Sequence, residues 1–171
     1  MNTHYIHLHT NAFMPICDEY DINMCVHPDD PPYPVFGLPR IIGRAEDIQW
    51  MLDAVPNKHN GLTFCAGSFS AGEHNDCVAM AKQFADRTHF VHLRSCYIFP
   101  NGNFTEASHL GGRGHLIELC RIFEKAEQEG KCNSGRRLPM RVDHGMTFTD
   151  EPGGVFDESN HGHNQTAGIL C

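Results

Sequence analysis

The chain has 171 residues, of which 40% are apolar, so it can bury the core of one ordinary domain, and we expect a single domain over residues 1–171. Its 21 acidic and 13 basic residues give a net charge of −8. This balance argues against a nucleic-acid partner, because phosphate binding needs a basic stripe. No apolar stretch approaches the ~20 residues of a membrane span, which argues against a membrane protein.

The sequence is rich in cysteine and histidine, with eight and 13 residues respectively. The first ten residues, MNTHYIHLHT, lack the basic start and apolar run of a signal peptide. The cysteines form no C-x-x-C pair and no zinc-ribbon spacing. We therefore expect a reduced, cytoplasmic protein in which most thiols are small buried side chains. The histidine content is a first indication of metal chemistry.

Along the chain, apolar patterns predict strands and helices in alternation. Short apolar runs bounded by turn residues indicate strands, and apolar residues three and four positions apart indicate helices. The clearest helix has a stripe of Leu116, Leu119, Cys120 and Phe123 and a natural stop at Gly130. In chain order the predicted elements are the end of a helix at 12–20, a strand at 22–27, a helix at 45–55, a strand at 61–66, a helix at 75–85, a strand at 89–94, a helix at 114–129 and a strand at 138–143.

Strict alternation of strands and helices predicts parallel βαβ units and an α/β fold. The sequence contains about four such units. A complete (β/α)₈ barrel of the TIM type takes about 250 residues. We therefore expect a partial barrel, equal to about half of the complete fold. The tail after Asp143 is rich in glycine and histidine.

A residue that can bind a metal stands at the end of each predicted strand. In parallel α/β folds these strand ends share one face, and their loops carry the active site. The four residues lie tens of positions apart, so they meet only if the fold brings one from each unit together. Two imidazoles, a thiolate and a carboxylate suit Fe²⁺, Zn²⁺ or Mn²⁺, and the thiolate favours iron or zinc. The alternative is that each is an ordinary core or loop residue, and spacing alone does not decide between the two. The four residues are His27, Cys65, His92 and Asp143.

Other polar residues lie beside these strand ends. Arg94 is two residues beyond His92 and is expected to bind a substrate carboxylate bidentately, unless it is a surface arginine. His144 follows Asp143 directly and is a candidate general acid or base, or else a turn residue. His109 lies in a loop from which it could reach a substrate hydroxyl.

Two aspartates follow His27 after Pro28. Asp29 and Asp30 either orient the ring of His27 as hydrogen-bond acceptors or form a turn ahead of the prolines.

Six segments of the sequence resemble the mannonate dehydratase family in order and spacing. They are VHPDDPPYPVFGLPR, IQWMLDAV, FCAGSF, FVHLRS, EASHLGG and MRVDHG. The likeness extends from about residue 12 to the end of the chain, and the H-P-D-D-P-P and H-L-R-S stretches are specific to it. The resemblance implies a barrel of the xylose isomerase-like type. It also implies an Fe²⁺- or Mn²⁺-dependent lyase of hexuronate catabolism that converts D-mannonate to 2-dehydro-3-deoxy-D-gluconate.

The resemblance also implies roles for particular residues. His27, Cys65, His92 and Asp143 match the metal ligands, and His144 matches a histidine implicated in catalysis. The family usually carries N-P-G-Y after the D-H-G strand, and its tyrosine is proposed to transfer a proton.

Two features depart from the family pattern. At the N-P-G-Y position this sequence reads Asn160-His161-Gly162-His163, so His163 either replaces the tyrosine or the acid role is lost. The first half of the barrel is also expected to be absent.

The expected reaction is a β-elimination, in which a base removes the C2 proton and the C3 hydroxyl leaves as water. His144 and His163 are the candidate proton carriers, and the sequence does not assign acid and base between them. A rival hypothesis is an inactive metal-binding fragment, or a half-barrel that forms a homo-oligomer or pairs with a missing N-terminal half. A metal-dependent aldose–ketose isomerase would use the same ligand types, but the D-H-G and H-P-D-D-P-P motifs argue against it.

Overall fold

The structure, a computed structural model, describes residues 12–143. Residues 12–20 are helical and form α1. The strands are β1 (Met24–Val26), β2 (Asn60–Cys65), β3 (Thr88–His92), β4 (Cys96–Ile98), β5 (Phe104–Glu106) and β6 (Met140–Arg141). The other helices are α2 (Ala45–Ala54), α3 (Ala66–Ser70), α4 (Cys77–Phe84) and α5 (Leu116–Gln128).

Four of the strands form one parallel sheet in the order β1–β2–β3–β6. All six residues of β2 are buried, as expected for a central strand with both faces covered. Parallel neighbours need a crossover connection, and α2, α4 and α5 lie in the three crossovers. The prediction of an α/β fold with a parallel sheet is therefore confirmed.

The core lies between this sheet and the helices that cover it. Phe64 of β2 packs against Phe69 and Phe123, with ring centroids 5.2 Å apart in each pair. Leu116, Leu119 and Phe123 of α5 are buried, as the apolar stripe predicts, whereas Cys120 is only partly buried. The helix therefore contacts the sheet through a narrower stripe than the sequence indicates.

A β-hairpin and a short helix were not predicted. β4 and β5 pair antiparallel, and the turn between them contains Asn101 and Gly102, with a φ of +85° at the glycine. An Asn-Gly pair between short apolar runs is a hairpin signal, so the pattern was present in the sequence. Strands of three residues are too short for alternation to identify them. α3 begins directly after β2 and has only five residues.

The seven cysteines between residues 12 and 143 are free thiols, and five of them are buried. This is the behaviour expected of cysteine as a small apolar side chain. In the same part of the chain, every helix is too short or too polar to cross a bilayer.

One histidine of the sheet, His89 in β3, is buried in the neutral form. Its Nε2 lies 3.1 Å from the carbonyl oxygen of Lys58, so Nε2 carries the proton and donates it to that oxygen. Gly61 makes room for the ring, since a Cβ at that position would overlap its Cδ2 and Nε2 atoms. Burial lowers the pKa of His89 from 6.5 to about 4.

This buried ring predicts a pH-dependent stability. The unfolded chain takes up a proton at His89 as the pH falls below 6.5, whereas the folded chain does so only near pH 4. The contribution of the neutral His89 ring to the free energy of unfolding is therefore fully present above pH 6.5, and it is lost as the pH falls from there toward 4. In His89→Gln the glutamine still offers a donor to the Lys58 carbonyl but has no titratable group. The free energy of unfolding of this variant should therefore fall less than that of the parent chain between about pH 7.5 and about pH 5. Urea unfolding of both proteins at the two pH values measures the difference, and equal losses would contradict the assignment.

Candidate metal centre

Three of the four predicted ligands lie at the carboxyl ends of neighbouring parallel strands. His27 directly follows β1, Cys65 is the last residue of β2 and His92 is the last residue of β3. Cys65 and His92 are partners in the register of the sheet. Since parallel strands end at the same edge, their terminal side chains meet although they are far apart in the sequence.

The donor atoms are close enough to share one ion. Each of His27, Cys65 and His92 offers one donor atom within 4.8 Å of the other two. His27 Nε2 lies 3.3 Å from His92 Nδ1. Two nitrogens bound ~2.1 Å from one ion at a tetrahedral angle would be about 3.4 Å apart. The observed separation therefore suits two ligands of a single ion.

The fourth predicted ligand, Asp143, reaches the same cluster from beyond β6. Its Oδ2 lies 3.6 Å from His92 Nδ1 and 3.9 Å from Cys65 Sγ. Asp143 has a φ of +68°, a left-handed conformation that aspartate tolerates better than most residues. The structure thus places Asp143 beside His92 and Cys65, two of the three clustered side chains.

The backbone sets the orientation of the His27 ring. Its Nδ1 lies 2.7 Å from the carbonyl oxygen of Pro28, which can only accept, so Nδ1 carries the proton. Nε2 then keeps its lone pair and faces His92. Neither Asp29 nor Asp30 orients this ring. Asp29 accepts hydrogen bonds from the backbone N–H groups of Ile41 and Ile42, and Asp30 accepts one from Arg94.

Cys65 is fully buried and its sulfur accepts hydrogen bonds from Ser68. The backbone nitrogen of Ser68 lies 3.5 Å from Sγ, and its hydroxyl lies 3.2 Å away. Hydrogen bonds to a thiolate stabilise the charged form that binds metals. Two other buried cysteines are not candidate ligands, since burial raises the pKa of Cys77 and of Cys96 to about 12 and keeps both as thiols.

The structure gives Arg94 partners within the chain. Its guanidinium is 1% exposed, and its Nε lies 2.9 Å and 3.0 Å from the two carboxylate oxygens of Glu106. The other side of the guanidinium binds Asp30. Burial alone would lower the pKa of Arg94, but the hydrogen bonds of Glu106 and the charge of Asp30 raise it above its ordinary value. Its role in binding a substrate carboxylate stays a prediction, and its contacts favour a different role.

Of the three remaining predicted site residues, the structure describes His109. His109 is partly buried in the loop before α5, and its Nε2 atom is buried without a hydrogen-bond partner among residues 12–143. Its contact with a substrate stays a prediction. His144 and His163 lie outside the described residues.

Glu106 is the site residue that sequence reasoning missed. It belongs to β5 of the hairpin and reaches Arg94 only because that hairpin folds back over the end of β3. No metal-ligand or strand pattern marks it in the sequence. The Asn101-Gly102 pair is the sequence feature that could have predicted pairing of the residues near 96 and 106.

A parallel α/β sheet with histidine, cysteine and aspartate side chains at its carboxyl-terminal edge places this chain among α/β proteins with a candidate metal site at the strand ends. The model of the D-mannonate dehydratase (UxuA) family matches residues 2–170. The chain belongs to this family, which confirms the predicted resemblance.

Individual relatives give the same result. A mannonate dehydratase from Saccharophagus degradans is 44% identical over 140 residues, covering 81% of this chain and 35% of the relative. One from Chromohalobacter salexigens is 40% identical over 141 residues, covering 82% and 36%. The crystal structure of mannonate dehydratase from Streptococcus suis serotype 2 superimposes with a TM-score of 0.71 at 30% identity, covering 91% of this chain and 44% of that one. The chain thus spans about a third of the length of the curated relatives it matches.

The clustered donors predict a single metal site in the protein. Cys65→Ser and His92→Ala should each weaken binding of Mn²⁺ or Fe²⁺ at least about tenfold, because each removes a direct ligand. Isothermal titration on the full chain measures the affinity, and Cys120→Ser serves as control because Cys120 lies on α5, away from the cluster. Unchanged affinity in both site variants would exclude the ligand assignment.

Proposed function

We propose that this chain carries the metal site of a mannonate dehydratase and that its reaction is the dehydration of D-mannonate to 2-dehydro-3-deoxy-D-gluconate. The observation that carries the proposal is the convergence of His27, Cys65 and His92 from three strands on one point. Membership of the D-mannonate dehydratase family and the names of the relatives support the choice of substrate.

The proposed metal ligands are His27, Cys65, His92 and Asp143, and the proposed ion is Fe²⁺ or Mn²⁺. The donor types and the separations between them fit a divalent ion of this kind, and the thiolate favours iron. When bound, such an ion stabilises negative charge that develops on the substrate oxygens. The Pro28 carbonyl supports the site by keeping the proton of His27 on Nδ1.

Proton transfer is assigned to histidines near the end of the chain. The C2 proton of a sugar acid is only weakly acidic because the neighbouring carboxylate resists further negative charge, so a well-placed base is required. We propose His144 and His163 as the two proton carriers that remove this proton and assist loss of the C3 hydroxyl. His109 is proposed to bind a substrate hydroxyl, which its buried, unpartnered Nε2 among the described residues supports.

The proposed architecture is part of a (β/α)₈ barrel. The parallel order β1–β2–β3–β6 and the crossover helices support it. Within residues 12–143, β1 and β6 each pair with one neighbour only. In a closed barrel both edges would be paired, so we propose that efficient catalysis needs further strands to cover them.

The alternative function is a metal-binding protein without efficient turnover, or a half-barrel that needs a partner chain. The same open edges favour it. The two functions differ in one measurable property, because only the dehydratase releases a 2-keto acid from mannonate.

The open edges predict both assembly and low activity. The full chain should elute larger than a 19.2 kDa monomer and should turn over mannonate far more slowly than ordinary enzymes, which reach about 1–10³ s⁻¹. A misplacement of about 1 Å at a catalytic site can cost about 10²-fold in rate. Gel filtration combined with a coupled assay for the 2-keto product measures both properties. A monomer with ordinary turnover would overturn the half-barrel interpretation.

The role of His144 can be separated from metal binding. His144→Asn should leave the metal content of the protein unchanged and abolish whatever dehydration the parent chain supports, because His144 is adjacent to a ligand without being one. Elemental analysis and a long-incubation product assay on the same samples test this. Loss of metal together with loss of product would show that His144 is itself a ligand.

A further inference from the structure

Arg94 contacts the segments that follow all three ligand-bearing strands. It lies two residues beyond His92 of β3, and it binds Asp30, three residues beyond His27 of β1. Its side-chain methylenes also lie against Gly67, two residues beyond Cys65 of β2, where a Cβ would overlap them. One side chain therefore spans the ends of β1, β2 and β3 just behind the donor cluster.

The guanidinium is held from the opposite side as well. Glu106 of β5 accepts hydrogen bonds from Nε and Nη2 of Arg94, and the Glu106 carboxylate is itself 6% exposed. A buried guanidinium that lost either carboxylate would be left incompletely paired, so the contacts resist separation. The planar, five-donor guanidinium can bind both carboxylates at once, which a lysine ammonium does less well.

We infer that Arg94 is a positioning residue that fixes the three ligand-bearing strand ends relative to one another and so sets the affinity and geometry of the metal site. This inference rests on the proposed metal site and assigns Arg94 a role other than contact with a substrate carboxylate. Arg94 acts on the donors through the segments that carry them. It acts through the loop after His27, the first turn of α3 after Cys65 and its own connection to His92.

The arrangement predicts how the ligands respond when Arg94 changes. Without the contact to Asp30, the loop that begins at His27 loses its tie to β3, and the 3.3 Å separation between His27 Nε2 and His92 Nδ1 is no longer enforced. Replacing groups that orient metal ligands typically weakens metal binding about 10- to 100-fold. A purely structural arginine would change the melting temperature and leave the metal affinity of the folded protein unchanged.

The test uses the full chain and Co²⁺ as a probe, because its absorption bands report both the thiolate bond and the coordination geometry. Arg94→Gln should raise the Co²⁺ dissociation constant about 10- to 100-fold and alter the absorption spectrum, and Arg94→Lys should recover only part of the affinity. Asp30→Asn removes one charged partner while leaving Arg94 with Glu106, and it should weaken Co²⁺ binding in a protein that still folds.

Arg87→Gln is the matched control. Arg87 precedes β3, at the opposite end of the strand from Arg94, and donates to the carbonyl oxygens of Asn57 and Asn60. Its replacement should lower the melting temperature and leave the dissociation constant and spectrum of the Co²⁺ complex unchanged. Comparison with Arg94→Gln separates positioning of the ligands from general stability.

The outcomes distinguish this inference from the proposed metal site. Wild-type Co²⁺ affinity and spectrum in a folded Arg94→Gln protein would overturn the positioning role. If Arg94→Gln does not fold, Asp30→Asn decides, and unchanged Co²⁺ binding in that variant overturns the role equally. If Cys65→Ser also leaves Co²⁺ binding unchanged, the proposed metal site itself is rejected. If Cys65→Ser loses Co²⁺ binding while the Arg94 and Asp30 variants keep it, only the positioning role of Arg94 is rejected.

Discussion

Parallel pairing of β2 with β1 and β3 is the constraint on which the candidate site depends. Parallel strands direct their carboxyl ends to one edge, so a single ligand from each strand is enough to form a cluster. The register aligns Cys65 with His92 at that edge. β2 is buried along its whole length, and Phe64, the residue before Cys65, packs against Phe123 of α5. The hydrophobic core therefore holds Cys65 and His92 in register at this edge of the sheet.

Two kinds of polar contact surround the donors, and they act over different distances. The Pro28 carbonyl acts on one ring and selects which nitrogen of His27 is free. The contact of Arg94 with Asp30 and Glu106 acts between segments, joining the loop after β1 to the end of β3 and to the hairpin. A buried guanidinium is stable only with its carboxylates, because an unpaired charge in the interior carries a large desolvation cost. Electrostatics thus fix the relative placement of loops that the apolar core leaves free.

Membership of the D-mannonate dehydratase family gives these contacts a chemical context. The chain spans about a third of the length of the curated relatives it matches, and that third contains the full set of proposed ligands. The residues proposed for metal binding and those proposed for proton transfer lie in different parts of the sequence. The proposed ligands lie at or just beyond the ends of the four strands of the parallel sheet, whereas His144 and His163 follow the last of them in the sequence.

Sequence patterns alone predicted the strands of the sheet, their parallel arrangement and four candidate metal ligands near the strand ends. Apolar periodicity locates the elements, and strict alternation of strands and helices implies parallel pairing. His27 and Asp143 could be proposed as ligands of one site only because parallel topology directs the strand ends to the same edge of the sheet. The partners of polar groups that make contacts between different βα units became known only from the tertiary structure. Arg94 reads in the sequence as a candidate for substrate binding, yet it is buried against Glu106, 12 positions away on a hairpin that periodicity did not identify. Long-range ion pairs leave no pattern in the sequence, because they depend on where loops fold back. The local conformational preferences of the residues do not specify that path.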